Sequence, residues 1–412
     1  MEVVGEGTGP RAALRLIGHR NFGPYFVGNA ASASGTWFQN LAAALLIYRQ
    51  THSPFLLGVL NFCSFLPVLL LAPWAGSMAD RFDRRRVVLV TQIGSTLISA
   101  TLAALAWAGL APVAVVIGCG FVLGIGSAFA APASQALIGE LVPRRDLGSA
   151  VALNSMTYNL ARAVGPALAG VSVHTLGVPA SFAINAGSYL LLAAGVLAVR
   201  TVERRRPSRE ETRLRESFRL IRERPRLLAF LLIVMAAGFA SDPVNTESPA
   251  FARAYGLPLE SLDLWAGIII GIFGAGAVLA AFLLAGRVTG SPGRMLVTLT
   301  MLGGGIIGFS LSPTMWIGAV FLAIAGFGYL ASNTAATTRL QLGVEEHQWG
   351  RIMALWSVAF LGLRPFASLA DGAIGDAFGV RTAGVCLAVP ALCGAAAIYF
   401  LLRPHRSLTT RA

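Results

Sequence analysis

The sequence contains no lysine and few charged residues of any kind. Charged side chains make up 12% of its 412 residues, whereas an ordinary soluble domain carries about 25%. Hydrophobic residues make up 55%, and the mean hydropathy is +0.69. Without lysine there is no G-x-x-x-x-G-K-[S/T] loop, which excludes an ATP motor of that type. This composition predicts an integral membrane protein.

Residues for metal or covalent chemistry are equally scarce. The five histidines are dispersed, and the sequence has neither an H-E-x-x-H zinc motif nor a G-x-S-x-G nucleophile elbow. All cysteines lie inside apolar runs without metal-ligand spacing, and they are Cys63, Cys119, Cys386 and Cys393. We therefore expect no metal, no cofactor and no enzymatic activity.

The net charge of +13 comes from arginines spread over short loops. A soluble nucleic-acid-binding domain would concentrate them in one basic patch, so we expect no nucleic-acid partner. Arginine-rich and arginine-poor loops alternate along the chain, and the rich side includes both termini. The positive-inside rule then predicts a multi-pass inner (plasma) membrane protein with both termini in the cytoplasm.

Twelve apolar runs are about long enough to cross a bilayer core of about 30 Å. These predicted transmembrane helices cover residues 22–48, 54–79, 87–108, 113–138, 148–173, 180–199, 227–251, 262–285, 295–312, 314–338, 352–375 and 382–402. The fold class is therefore all-α and membrane-embedded.

A charged segment, residues 200–226, divides the chain into helix groups 1–199 and 227–412. It carries eleven arginines and five glutamates. Ser208 and Glu211 form a capping-box pattern ahead of an apolar 3.6-residue period, which predicts an amphipathic helix on the inner membrane face. A solvated tether is the alternative.

The two halves repeat one another at an offset of 202 residues. Arg162 falls on Arg364 and Gly170 on Gly372, and a run of small residues around them matches too. Such a repeat predicts two pseudosymmetric six-helix bundles that work by alternating access around a site near the midplane.

The loop Gly76-x-x-x-Asp80-Arg81-x-x-Arg84-Arg85 joins the second and third predicted helices. It resembles the signature loop of the major facilitator superfamily, and the sequence Ala-Asp-Arg-Phe-Asp-Arg-Arg-Arg is similar to the enterobactin-exporter-like branch. The resemblance implies that Gly76, Asp80, Arg81 and Arg84 latch the two halves on the cytoplasmic side. Simple anchoring of a positive loop is the alternative.

Ionisable residues at membrane depth are costly and therefore candidates for function. Arg162 and Arg364 are predicted to point into a central cavity and to favour an anionic substrate or a paired carboxylate. A structural role, bonding carbonyls and a neighbouring acid, is the alternative. Other candidates for substrate binding or coupling lie on polar helix faces, and they are Asn29, Gln39, Tyr158, Asn159 and Asp371.

The seventh predicted helix supplies acids. Only 15 residues, about 22 Å of helix, separate Leu227 from Ser241, so Asp242 should lie within the membrane. Asp242 is expected to exchange a proton, or else simply to pair with an arginine beside a kink at Pro243. The polar stretch that follows predicts a broken helix, with Glu247 near the outer surface.

Gly165-Pro166-x-x-x-Gly170 resembles the antiporter motif of the same superfamily, with Ala169 in place of one glycine. The fourth helix lacks the arginine and glutamine usual in proton-linked drug exporters, which argues against the common form of proton coupling unless Arg162 has taken over that role. The motif favours export.

Together these features predict a monomeric, proton-coupled exporter of a small amphipathic or anionic molecule, a siderophore or a drug. The alternatives are an importer or lipid flippase on the same scaffold, or a membrane sensor that does not transport.

Overall fold

The computed structural model describes residues 15–199, 222, 224–284, 292–345 and 348–402. Within these ranges the chain is helical and contains no strand. Nine of the described helices are long and apolar enough to cross a membrane, and the twelve predicted segments all fall on helices. The predicted all-α membrane architecture is confirmed.

The first half consists of five helices, the last of them broken. They are α1 (Gly23–Thr51), α2 (Pro54–Arg81), α3 (Arg84–Trp107), α4 (Val113–Leu141) and α5 (Leu147–Ala198). The starts of α2 and α3 are capped by Ser53 and Asp83, whose side chains accept hydrogen bonds from Leu56 N and Arg85 N. Such caps satisfy backbone donors that the first helical turn leaves free.

The 52-residue helix α5 contains the fifth and sixth membrane crossings. Gly177 lies inside it with φ 86° and ψ 168°, a conformation that side chains with a Cβ rarely adopt. Pro179 follows and begins a new helical run. The break separates limbs 147–176 and 178–198, as the sequence predicts.

The second half has the same plan with more interruptions. Its elements are α6 (Pro225–Thr246), α7 (Ser248–Ala254), α8 (Leu262–Leu284), α9 (Pro292–Leu311), α10 (Met315–Leu342), α11 (Trp349–Ser357), a π-helical turn (Val358–Gly362), α12 (Arg364–Phe378) and α13 (Val380–Leu402). The sequence predicts a broken helix in the polar stretch around Pro243. In the structure α6 continues through Pro243 and ends at Thr246, and the chain turns at Glu247. Within α6, Asn245 Nδ2 donates to Ser241 O at 2.7 Å, so a polar side chain bridges the backbone on either side of the proline.

The halves pack along two seams, α5 on α8 and α2 on α12. At the first seam, a Cβ on Gly170 would lie 3.0 Å from Gly267 Cα; at the second, a Cβ on Gly372 would lie 3.0 Å from Gly58 Cα. Because Gly170 and Gly372 are counterparts in the repeat, the internal similarity corresponds to two equivalent helix crossings. Glycine allows such close backbone approach in membrane bundles.

The predicted amphipathic helix in 200–226 lies almost entirely outside the described residues. At the end of this segment, Arg224 Nη1 donates to Gly343 O at 2.6 Å. The boundaries at 199/200 and 226/227 stay predictions.

Candidate functional site

A cavity of about 730 Å³ lies between the halves. It is bounded by α5, α8 and α10, with Asn245 of α6 at its inner limit. It extends from Arg162 and Tyr329 to Phe282 and Leu284. The mouth of the cavity therefore lies at the end of the bundle where α8 ends. The loop 82–83 and the start of α1 lie at the same end, and we call it the arginine-rich end because the arginine-rich loops of the sequence belong to it. The other end is called the opposite end.

Arg162 supplies the positive charge of this cavity. Its guanidinium carbon lies 4.6 Å from the ring centroid of Tyr329, a cation–π geometry. Its Nη2 is buried and has no hydrogen-bond partner among the described residues. No described carboxylate lies within ion-pair distance of it, so Arg162 is available to an anionic group of a ligand.

Arg364 has a different environment from its repeat counterpart. It is the first residue of α12, directly after the π-helical turn, and Pro365 starts the new helix. Its guanidinium carbon lies 4.7 Å from the Phe65 ring centroid, and its Nε is 3.8 Å from Asp242 Oδ1. Both arginines thus stack on an aromatic ring of the other half, but only Arg162 lines the cavity, whereas Arg364 pairs with an acid.

Asp242 is held by a dense set of polar contacts. Besides Arg364, Ser368 Oγ donates to its Oδ1 at 3.0 Å and Thr246 Oγ1 to its Oδ2 at 2.9 Å. The side chain is fully buried, with 0% exposed. Asp242, Thr246 and Ser368 therefore tie α6 to α12 within the second half.

Two more carboxyls lie beside Asp242. Asp371 and Glu247 are both fully buried, and none of their carboxylate oxygens has a hydrogen-bond partner among the described residues. Glu247 directly follows the last residue of α6, at the opposite end of the bundle, and its depth near the outer surface stays a prediction. The turn after Thr246 directs Glu247 inward against Gly375, where a Cβ would lie 2.2 Å from Glu247 Oε1. Gly375 lies one helical turn after Asp371. Because glycine has no side chain, this position leaves room for the side chain of Glu247.

Several predicted cavity residues are used elsewhere in the first half. Asn29 Nδ2 donates to Asn154 Oδ1 at 2.7 Å. Gln39 Oε1 is buried and accepts bonds from Ser99 and Asn185, each at 2.7 Å. Both residues therefore join α1 to neighbouring helices of its own bundle.

Two further predicted residues, Tyr158 and Asn159, lie close to Arg162 in the sequence. Tyr158 is 59% exposed and does not line the cavity. Asn159 belongs to α5, but its side chain lies outside the described part of the structure.

The described contacts of the charged loop also stay within the first half. Arg84 Nη1 lies 2.6 Å from Glu140 Oε1 on α4. Arg85 donates to Val196 O at 2.9 Å and Leu197 O at 2.7 Å, which satisfies free carbonyls at the end of α5. Gly76 lies within α2, the side chain of Asp80 is not described, and Arg81 is exposed at the end of α2. A latch between the halves involving this loop stays a prediction for another conformation.

The antiporter-like residues lie where α5 crosses α8. A Cβ on Gly165 would lie 2.9 Å from the Trp37 ring, and a Cβ on Gly267 would lie 2.6 Å from Pro166 O. Gly170 and Gly267 form the contact between small residues that lets α5 and α8 approach, whereas Gly165 packs against α1.

Polar contacts join the halves at the opposite end. Arg49 forms an ion pair with Asp263 of α8. Ser53 Oγ donates to Asp376 Oδ1 on α12 at 2.8 Å. The structure is therefore closed at the opposite end, and its cavity opens toward the arginine-rich end.

Two repeated helical bundles around an inter-half cavity define a membrane transporter with the major facilitator fold. In agreement, a solved structure of a bacterial homologue of the human lysosomal transporter Spinster aligns with a TM-score of 0.73 over 96% of this chain and 97% of that one, at 17% identity. That likeness concerns the fold alone.

Sequence comparison gives the family. The family model described as transmembrane secretion effector matches residues 12–410, so the chain belongs to that family of major facilitator transporters. It is 25% identical to the staphyloferrin A transporter of Staphylococcus aureus over 384 residues, covering 90% of this chain and 93% of that protein. It is also 25% identical to the enterobactin exporter of Citrobacter koseri over 375 residues, covering 89% and 85%. The predicted superfamily and branch are confirmed.

Proposed function

We propose that this transporter exports a small amphipathic anion from the cytoplasm in exchange for protons. The observation that carries the proposal is Arg162, a cation that faces a cavity between the halves and has no carboxylate partner among the described residues. An anionic group on the substrate would supply the missing hydrogen bonds and charge.

The rest of the cavity favours an apolar substrate body. Met156, Leu160 and Phe282 line it and are 65%, 51% and 77% exposed. At the inner limit Asn245 offers a hydrogen-bonding group, and Thr334 offers another between Tyr329 and the mouth. A molecule with one polar, negatively charged end and an apolar remainder matches this gradient.

Membrane orientation sets the direction. By the positive-inside rule the arginine-rich end faces the cytoplasm, so the cavity would load from the cytoplasm. The antiporter-like residues support export, with Pro166 and Gly170 at the α5–α8 crossing and Gly165 against α1, and so does the name of the related enterobactin exporter. One chain contains both halves, and a monomer suffices for this cycle.

Coupling would depend on Asp242. In the closed arrangement it is bonded by Arg364, Ser368 and Thr246. Rocking residues 1–199 against 227–412 would separate α2 from α12 and admit water to this group. A carboxyl that alternates between a dry and a wet environment is suited to binding and releasing a proton.

Comparison of secreted metabolites tests the substrate class. Cells that express the wild type should accumulate anionic compounds in the medium, and cells that express Arg162→Gln should not. Arg86→Gln, a change in an 85% exposed side chain at the charged loop, is the matched control and should secrete normally. Loss of uptake in a deletion strain would indicate an importer, and binding without flux in proteoliposomes would indicate a sensor.

A further inference from the structure

We propose that Asp242, Glu247 and Asp371 act as one acidic cluster that holds two protons when the opposite end is closed. The inference rests on the proposed proton exchange and extends it from one residue to three. Its consequence is a stoichiometry of two protons for each transport cycle.

Charge balance gives the number two. Arg364 is the one cation in ion-pair contact with the cluster among the described residues, and it pairs with Asp242. In the part of the chain that the structure describes, neither a cation nor a hydrogen-bond donor contacts a carboxylate oxygen of Glu247 or Asp371. A carboxylate buried without partners costs several kcal/mol, whereas the neutral acid does not carry this penalty. Each of these two carboxyls therefore needs a proton.

The carboxyls are near enough to act together. Glu247 interacts electrostatically with Asp242, and Asp371 interacts with both. Ser368, Asp371 and Gly375 repeat at helical spacing on one buried face of α12. That face receives Asp242 through Ser368 and Glu247 against Gly375. Ionising one acid would therefore make a second ionisation harder.

Among the described residues, the surroundings of the cluster contain no second buried cation. From α1, Tyr48 interacts with Glu247 and also with Arg253, an exposed residue at the end of α7. From α12, the exposed Asp376 adds another negative charge near Glu247. None of these groups compensates two buried carboxylates.

The same cluster lies against the seam that must part. Gly372, next to Asp371, packs on Gly58 of α2. Asn61 Nδ2 on α2 donates to Thr246 Oγ1 at 3.3 Å, and the Phe62 and Phe366 ring centroids are 6.0 Å apart. Separation of α2 from α12 would expose the cluster to water at the opposite end, where it would take up its protons before that end closes again.

Infrared spectroscopy of the purified full-length protein tests the proton count without any substrate. At neutral pH the wild type should show the C=O band of protonated carboxyl groups. Glu247→Gln and Asp371→Asn should each remove part of this band, and the double variant should remove both parts. Asp376→Asn, a change at an exposed carboxyl on the same helix, is the control and should leave the band unchanged. Unchanged spectra in Glu247→Gln and Asp371→Asn would overturn the proposal, as would a carboxylate band that responds to NaCl and not to choline chloride.

Flux measurements give the second readout. In proteoliposomes, the ratio of protons to substrate should fall from two to one in either single variant. A constant ratio would contradict the cluster. If no substrate flux occurs in the wild type, the proposed export is wrong, but the infrared result still decides the state of the carboxyls.

Discussion

Substitution of Gly267 by alanine should shift the transporter away from the arrangement seen here. The added Cβ would lie 2.6 Å from Pro166 O and 2.8 Å from Gly170 Cα. Ordinary contact begins at 3.4 Å, so the α5 and α8 backbones must separate by about 0.8 Å. Both neighbours are backbone atoms that no rotamer change can move.

The size of the effect follows from overpacking. Forcing an extra methyl group into a packed contact costs about 1–3 kcal/mol. The penalty applies only while the opposite end is closed, because the seam parts when that end opens. The open population should therefore rise by about 5- to 150-fold relative to the closed one.

Distances between spin labels can follow this shift. Labels on Trp107→Cys and Leu259→Cys would report the opposite end, since these exposed residues lie at the end of α3 and just before α8. The native cysteines would first be replaced. Gly267→Ala should enlarge the long-distance population. Gly94→Ala, where a Cβ meets no atom within 4 Å, should leave it unchanged. An unaltered distribution in Gly267→Ala would refute the idea that this glycine contact holds the closed end.

Three further outcomes are expected. Arg364→Gln should lower the free energy of unfolding by about 3–5 kcal/mol, because it leaves Asp242 buried without its cation. Adding Asp242→Asn should restore much of this loss in a thermal unfolding measurement. No restoration would show that the loss of the ion pair is not the reason. Gly177→Ala should lower the free energy of unfolding by about 1–2 kcal/mol, since φ is 86° at this residue and a Cβ disfavours that region. Thermal unfolding would measure this loss, and an unchanged unfolding temperature would argue against strain at the break. Arg162→Lys should retain weak transport because it keeps the positive charge but loses the planar contact with Tyr329, whereas Arg162→Gln should lose transport because it removes the charge. Equal transport by the two variants would contradict a role for the charge.

Helix positions could be predicted from the sequence because the apolar runs are long and charged loops separate them. Gly177 with Pro179 marks the short connection inside α5, and the repeat of Gly170 and Gly372 indicates two equivalent halves. These are local signals, and physical constraints on membrane helices make them reliable.

The site was less predictable because it depends on which faces meet. Arg162 and Arg364 are equivalent in the repeat, yet Asp242 occurs in only one half, so one arginine is paired and the other is available. Gln39 has the polarity of a cavity residue but is used by Ser99 and Asn185. Nothing in the local pattern around Glu247 shows that the chain turns inward there.

Flux through reconstituted protein tests the central claim most directly. Proteoliposomes containing the wild type or Asp242→Asn would be loaded with a fluorescent amphipathic carboxylate and placed under a pH gradient. The account predicts gradient-driven flux in the wild type and loss of that flux in Asp242→Asn, with substrate exchange at zero gradient preserved in both. Equal gradient-driven flux in the two proteins would contradict proton coupling through this site.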